Sequence, residues 1–200
     1  MEGKVVYFMR HGDTGMSGRY IGSTDIGLST IGIEQVRITG RKLQEVGIQR
    51  ALCSPLIRCR HSFDLLGLDC ACNFNEELRE VDFGLWEGKS FDEIVAGDKS
   101  LVDRWVDAPA SFCFPGGESL ESFRQRLTQF SFKLDSFAEN KVLIVAHGGV
   151  IRHLLCLVLR MGLDNYLLFD VQPGKYSTVR TYPEGGVLTG FNLGGGMCPK

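Results

Sequence analysis

Two histidines in this chain each follow a short apolar run and precede a glycine. His11 comes after Val5–Arg10, and His147 comes after Lys141–Ala146. An imidazole can attack phosphorus, and a neighbouring guanidinium such as that of Arg10 can hold phosphoryl oxygens and balance their charge. An isolated Arg-His-Gly is more simply explained as a strand that ends in ordinary polar residues, so the rest of the chain has to decide.

Arg58 is a further candidate for phosphate binding. It follows the strand-like stretch Arg50–Cys53, and the intervening Ser54-Pro55 predicts a helix with Ser54 as its N-cap and Pro55 in its first turn. An isolated arginine on a helix is usually a solvated surface charge. The first turn of a helix favours anions, however, and this placement supports a phosphate contact for Arg58.

The order of the predicted elements places these residues at one edge of a sheet. Strand-like runs alternate with helix-like stretches, which predicts βαβ units and a mostly parallel sheet. Ligands bind at the carboxyl ends of the strands in open sheets of this kind. The later predicted elements are helices over about 29–46, 120–140 and 150–160, and strands over 177–182 and 187–192.

Composition restricts the possible partners and the compartment. Of the 200 residues, 44% are apolar and 23% charged, and the net charge of −2 provides no basic field for nucleic acid or anionic lipid. The seven cysteines form no CxxC pair, which argues against a zinc site and favours a reducing cytoplasm. No stretch of the sequence is typical of a signal peptide or a membrane span.

Four motifs occur in the order and at the spacing of a known family. They are Arg10–Thr14, Ser54–Cys59, Leu78–Gly88 and Val145–Gly149, and Gly22–Gly32 matches the segment after the first motif. In these motifs the chain resembles the histidine phosphatase superfamily, which includes the cofactor-dependent phosphoglycerate mutases. The resemblance implies a three-layer α/β/α fold in a single domain over residues 1–200, with a helical and loop excursion at about 91–117 over the active site.

The resemblance also implies a role for each candidate residue. His11 is the nucleophile that forms a phosphohistidine, and His147 stabilises the equatorial oxygens of the transferring group. Arg10 and Arg58 hold the phosphoryl oxygens, because a planar guanidinium fits that geometry. Glu80 protonates the leaving alcohol and then activates water. The scheme needs no metal and no other cofactor.

Glu80 is selected by its motif position alone. Its neighbours Glu76, Glu77 and Glu87 are competing carboxylates, and each of these is most simply a solvated surface charge.

One position departs from the family pattern. Ser17 stands where family members often carry an asparagine that lines the phosphate site. A serine hydroxyl can still donate one hydrogen bond, and Ser23 and Thr24 of the same loop can compensate. We therefore expect Ser17 and Ser23 among the phosphate-binding residues, with an ordinary polar loop as the alternative.

The length of the excursion and the residue types in the motifs favour the phosphatase branch of the family. The short chain, the Gly116–Ser119 segment and Lys175–Val179 most resemble the α-ribazole-5′-phosphate phosphatases of cobalamin biosynthesis. A cofactor-dependent phosphoglycerate mutase, a broad-specificity phosphatase and a non-catalytic phospholigand sensor are the alternatives. The expected partner is a small phosphate ester, with neither nucleic acid nor membrane, and the chain is a monomer or a homodimer.

Three aromatic residues of the excursion leave two interpretations open. Trp105, Phe112 and Phe114 either form an apolar wall for the leaving group or pack the excursion onto the domain. Packing is the simpler of the two interpretations.

Overall fold

A computed structural model describes residues 3–195, and within them the strands form one sheet in the order β3-β2-β4-β1-β5-β6. Its strands are β1 Val5–Arg10, β2 Arg50–Cys53, β3 Ala71–Phe74, β4 Lys141–Ala146, β5 Tyr176–Tyr182 and β6 Gly185–Leu193. The pairings β3–β2, β2–β4 and β4–β1 are parallel, whereas β1–β5 and β5–β6 are antiparallel. The predicted mostly parallel sheet is thereby confirmed.

Helices cover both faces of this sheet. They are α1 Thr30–Gln44, α2 Ile57–Leu66, α3 Phe91–Gly97, α4 Lys99–Asp107, α5 Leu120–Ser136 and α6 Gly148–Val158. Tyr7 and Met9 of β1 pack in one buried cluster with residues of α1 and α2, while Val6 and Phe8 pack in the other with residues of α5 and α6. The alternation along β1 therefore produces the three layers. Within residues 3–195 no helix is long and apolar enough to cross a membrane.

The register of the central strands brings their carboxyl ends together. Arg10, the last residue of β1, is paired with Ala146, the last residue of β4. His11 and His147 therefore leave the sheet side by side. Cys53, which ends β2, is paired with Val145, so the loop from β2 into α2 emerges at the same edge.

The predicted N-cap at Ser54 is wrong. Helix α2 begins at Ile57 with Leu56 as its N-cap, and the backbone N–H of Ile57 donates to Oδ1 of Asp25 at 2.7 Å. The hydroxyl of Ser54 instead lies 2.8 Å from Nε2 of His147. A tertiary contact has displaced the local capping interaction, and Arg58 still lies in the first turn of α2.

The excursion is held to the domain by an aromatic cluster. Phe112 and Phe114 are 4% and 1% exposed, and their rings lie within 5.5 Å of the ring of Trp86, between centroids. Trp105 joins the same cluster at 5.4 Å from Trp86. The structure therefore supports the packing interpretation of these side chains, and the burial of Phe112 and Phe114 argues against the substrate wall.

Candidate active site

His11 presents an unprotonated ring nitrogen at the edge of the sheet. Its Nδ1 lies 2.7 Å from the carbonyl oxygen of Gly12, which can only accept a hydrogen bond. Nδ1 therefore carries the proton in the neutral ring, and Nε2 keeps its lone pair. Within the described residues Nε2 of His11 has no hydrogen-bond partner, so the nitrogen that is free is also the nucleophilic one.

The loop after His11 lies so close to the start of α1 that two positions there must be glycine. A β-carbon at position 12 would lie 2.5 Å from the carbonyl oxygen of Gly32, and one at position 32 would lie 2.0 Å from that of Asp13. Both positions therefore need glycine if the loop after His11 is to lie against the start of α1.

Both histidines of the edge are held neutral. The ring centroids of His11 and His147 are 5.1 Å apart. Burial lowers the pKa of His11 well below its usual 6.5, and the positive charges of Arg10 and Arg58 lower it further. Burial is also the main cause of the low pKa of His147, followed by the charge of Arg58. A neutral His11 can attack phosphorus without first losing a proton.

Arg10 offers a buried donor that the described residues leave unpaired. Its Nη1 donates to the carbonyl oxygen of Val171 at 2.8 Å, whereas its Nε is buried and finds no acceptor among them. A β-carbon at position 148 would lie 3.5 Å from Cζ of Arg10, so the guanidinium lies against the first residue of α6. A buried, unpaired cationic N–H beside the N-terminus of a helix is suited to an anionic oxygen.

Arg58 joins the second histidine to the loop after His11. Its Nε donates to Nδ1 of His147 at 3.1 Å, and its Nη1 and Nη2 donate to the carbonyl oxygens of Thr24 and Gly22 at 2.9 and 2.8 Å. Since Nδ1 of His147 accepts, Nε2 carries the proton and donates to Oγ of Ser54. Within the described part of the chain three of the five N–H groups of Arg58 are thus occupied, and the other two can donate to a ligand.

Glu87 organises the loop that receives Arg58. Its carboxylate accepts hydrogen bonds from the backbone N–H groups of Gly22, Ser23 and Thr24, at distances between 2.9 and 3.2 Å, and from the Thr24 hydroxyl at 2.6 Å. These bonds fix the residues whose carbonyl groups hold Arg58. Glu87 is therefore not a simple surface charge.

Glu80 reaches the start of α6. Its Oε2 accepts from the backbone N–H of Gly149 at 2.9 Å. A β-carbon at position 149 would lie 2.5 Å from Oε1 of Glu80, so glycine is needed there for the carboxylate to approach. The Glu80 carboxylate also lies near both arginines of the site, because its charge raises the pKa of Arg10 and of Arg58.

The structure brings together five of the predicted site residues but not the two loop serines. Arg10, His11, Arg58, Glu80 and His147 are connected by the contacts above. The hydroxyl of Ser23 donates to Oδ1 of Asp82 at 2.8 Å, and Ser17 lies exposed in a turn without a hydrogen bond to the cluster among residues 3–195. Phosphate binding by Ser17 and Ser23 stays a prediction.

Three residues that contact or position the predicted site residues were not predicted from the sequence. They are Ser54, Glu87 and Cys59, whose Sγ lies 3.5 Å from Nε2 of His147. For Glu87 the available signal was its position inside the matched motif Leu78–Gly88. Cys59 and Ser54 flank Arg58 in their motif but carry no local sign of contact with a residue about 90 positions later.

Two histidines, two arginines and a carboxylate at the carboxyl ends of parallel strands define a phosphoryl-transfer site on an α/β fold. A model of the histidine phosphatase superfamily, branch 1, matches residues 6–194, and the chain belongs to that family. The predicted family, fold and class of enzyme, a phosphoric monoester hydrolase, are thereby confirmed.

Similar proteins differ in the substrate that their names give. The adenosylcobalamin/alpha-ribazole phosphatase of Salmonella typhimurium is 30% identical over 179 residues, which cover 87% of this chain and 89% of that protein. Phosphoserine phosphatase 1 of Hydrogenobacter thermophilus is 28% identical over 183 residues, covering 88% and 85%. The crystal structure of the alpha-ribazole phosphatase from Shigella flexneri matches with a TM-score of 0.86 at 26% identity, covering 94% of this chain and 96% of that one.

Proposed function

We propose that this protein hydrolyses the phosphomonoester of a small metabolite through a phosphohistidine on His11. The observation that carries the proposal is the free Nε2 of His11 on the same strand end as the unpaired, buried Nε of Arg10. A nucleophile and an anion-binding donor on adjacent residues are what phosphoryl transfer to nitrogen needs.

In the first half of the reaction, Nε2 of His11 attacks phosphorus and the P–O bond to the alcohol breaks. The leaving oxygen takes a proton from Glu80. Arg10 and Arg58 hold the phosphoryl oxygens and balance the charge that spreads over them in the transition state. The products of this half are a phosphohistidine, a free alcohol and an ionised Glu80.

In the second half, water replaces the alcohol. Glu80 removes a proton from water, the oxygen attacks phosphorus, and the bond between phosphorus and Nε2 of His11 breaks. Inorganic phosphate leaves, and Glu80 is again protonated for the next cycle. His147 acts in both halves by orienting Arg58 toward the equatorial oxygens, because its two ring nitrogens are engaged by Arg58 and Ser54.

For the substrate, we propose two candidates, α-ribazole 5′-phosphate and O-phosphoserine. The residue types in the motifs and the relatives from Salmonella and Shigella support α-ribazole 5′-phosphate. The relative from Hydrogenobacter supports O-phosphoserine. The catalytic residues act on the phosphoryl group and on the ester oxygen, and not on the rest of the alcohol, so they are compatible with both substrates.

A cytoplasmic location is part of the proposal. Six cysteines within residues 3–195 are free thiols, which suits a reducing compartment. We propose a small phosphate ester as the partner, without nucleic acid or membrane, for a chain that acts as a monomer or a homodimer.

A phosphate-release assay with and without a chelator tests the proposed function. The substrates are α-ribazole 5′-phosphate, O-phosphoserine and p-nitrophenyl phosphate. A separate incubation contains 3-phosphoglycerate with 2,3-bisphosphoglycerate. We expect release of phosphate that survives chelation and is lost in His11→Ala. Isomerisation of 3-phosphoglycerate without release of phosphate would instead identify a mutase, and loss of activity on chelation would overturn the metal-independent scheme.

A further inference from the structure

Arg152 lies on the face of α6 that meets Arg10. Residues four apart on a helix share one face, and Arg152 follows Gly148 by four positions. Gly148 is the residue packed against the guanidinium of Arg10. Because helical side chains tilt toward the N-terminus of their helix, the long side chain of Arg152 extends back toward the active-site end of α6.

The same loop segment anchors both arginines. Nε of Arg152 donates to the carbonyl oxygen of Phe169 at 2.8 Å, and Nη1 of Arg10 donates to that of Val171, also at 2.8 Å. The two guanidinium groups are therefore attached two residues apart on one segment. Burial lowers the pKa of Arg10, nearby Glu80 raises it, and the charge of Arg152 lowers it again, as expected for neighbouring cations.

The terminal nitrogens of Arg152 are not used by the protein. Among residues 3–195, neither Nη1 nor Nη2 of Arg152 has a hydrogen-bond partner, and no carboxylate forms an ion pair with it. The arginines of the neighbouring helix differ in this respect, because Arg124 pairs with Asp164 and Arg126 with Glu118. Arg152 is therefore held in position through its Nε, and its Nη1 and Nη2 can still donate hydrogen bonds to a ligand.

Arg152 has no direct ion-pair partner within the part of the chain that the structure describes. The carboxylates of Asp13 and Asp170 act on Arg10 without pairing with Arg152, and the two positive charges of Arg10 and Arg58 match a phosphate dianion. An anionic group of a substrate can therefore pair with Arg152 directly. A carboxylate fits the paired terminal nitrogens of an arginine in a bidentate manner.

We propose that Arg152 binds a carboxylate of the substrate, so that the preferred substrates are phosphomonoesters whose alcohol also carries a carboxylate close to the ester oxygen. This inference rests on the proposed phosphatase function at His11. It favours substrates of the O-phosphoserine type over α-ribazole 5′-phosphate, which has no carboxylate.

A matched pair of substrates isolates the carboxylate. O-phospho-L-serine and O-phosphoethanolamine differ only by that group, and kcat and KM are measured for both with the wild type, Arg152→Gln and Arg152→Lys. We expect kcat/KM of the wild type to be at least about tenfold higher for phosphoserine, because a carboxylate paired with an arginine forms charge-assisted hydrogen bonds. Arg152→Gln should remove this preference through KM for phosphoserine, and Arg152→Lys should restore part of it.

The control separates carboxylate binding from a structural effect. Arg160→Gln changes an arginine that donates to the carbonyl of Pro183, outside the cluster of His11 and Arg10, and should leave the preference intact. An equal loss for both substrates in Arg152→Gln would show that Arg152 acts by holding the Phe169 segment, and would overturn the proposal. Equal kcat/KM for the two substrates in the wild type would do the same. Either result leaves the proposed function standing if phosphoethanolamine or α-ribazole 5′-phosphate is hydrolysed, whereas loss of all phosphate release would contradict that function itself.

Discussion

The Nε atom of Arg58 donates a hydrogen bond to Nδ1 of His147 at 3.1 Å, although 89 residues separate the two in the chain. This bond fixes the tautomer of His147 and ties the start of α2 to the end of β4. The remaining bonds of Arg58 run to the loop at Gly22–Thr24. Arg58 is therefore the residue through which three separate segments of the site hold one another in place.

Arg58→Lys should lower kcat for phosphate release by about 10²–10³-fold, the usual effect of losing one transition-state donor. An ammonium group cannot reach His147, Thr24 and Gly22 at once and still offer two N–H groups to a phosphoryl oxygen. Steady-state kinetics with p-nitrophenyl phosphate measures the loss. Near-normal kcat in a folded Arg58→Lys protein would show that the guanidinium is not needed in the transition state.

Glu80→Gln should slow turnover by about 10²–10⁴-fold, the range for loss of a general acid or base. The amide oxygen can still accept from Gly149, so the fold should be retained. With p-nitrophenyl phosphate, whose leaving group needs little protonation, phosphorylation of His11 should outpace hydrolysis. A rapid-quench burst of p-nitrophenol is the expected observation, and its absence together with unchanged turnover would exclude Glu80 as the base.

Glu87→Gln should impair catalysis through Arg58. An amide nitrogen in place of one carboxylate oxygen faces backbone N–H groups at Gly22–Thr24 and cannot accept from them. Hydrogen bonds to a charged group contribute roughly 1.5–3 kcal/mol, so we expect at least about a tenfold fall in kcat.

A double-mutant cycle tests the route of this effect. If Glu87 acts by positioning Arg58, the combined Glu87→Gln and Arg58→Lys variant should lose much less than the product of the two single losses. Glu76→Gln is the matched control, because Glu76 is exposed and forms a surface ion pair with Arg79 at 3.5 Å, away from Arg58. Fully independent effects of the two substitutions would contradict the positioning role.

Stability should fall as the pH drops from about 6.5 to 4. Burial lowers the pKa of His153 from 6.5 to about 4, so below pH 6.5 the unfolded chain binds a proton that the folded chain does not. Each such histidine contributes a slope of up to about 1.4 kcal/mol per pH unit across that interval. His11 and His147 add to the fall in the same direction.

His153→Phe isolates the contribution of one histidine. A phenyl ring can keep the contacts with Phe123 and Tyr166, whose ring centroids lie 5.0 and 4.4 Å from that of His153. Chemical denaturation at a series of pH values should give a shallower dependence for His153→Phe than for the wild type. Identical slopes for the two proteins would contradict the lowered pKa.

The sequence was sufficient to predict the edge of the sheet and the residues that meet there. An apolar run predicts a buried strand, and the residue that follows the run must then lie at the carboxyl end of that strand. The sequence was not sufficient for the contacts between side chains. Ser54 has the pattern of a helix cap, yet its hydroxyl is engaged by His147, 93 positions away. In the sequence Glu87 and Arg152 resemble ordinary surface charges. Their roles depend on contacts with the loops at Gly22–Thr24 and Phe169–Val171, which are distant from them in the chain.

The central claim is that the phosphoryl group is transferred to His11. The most direct measurement is an alkaline quench of the enzyme during turnover of p-nitrophenyl phosphate, in the Glu80→Gln background to slow hydrolysis, followed by mapping of the phosphorylated peptide by mass spectrometry. We predict an acid-labile phosphoryl group on His11, attached through Nε2. A phosphoryl group on His147, or continued phosphate release with no phosphorylated histidine, would contradict the account.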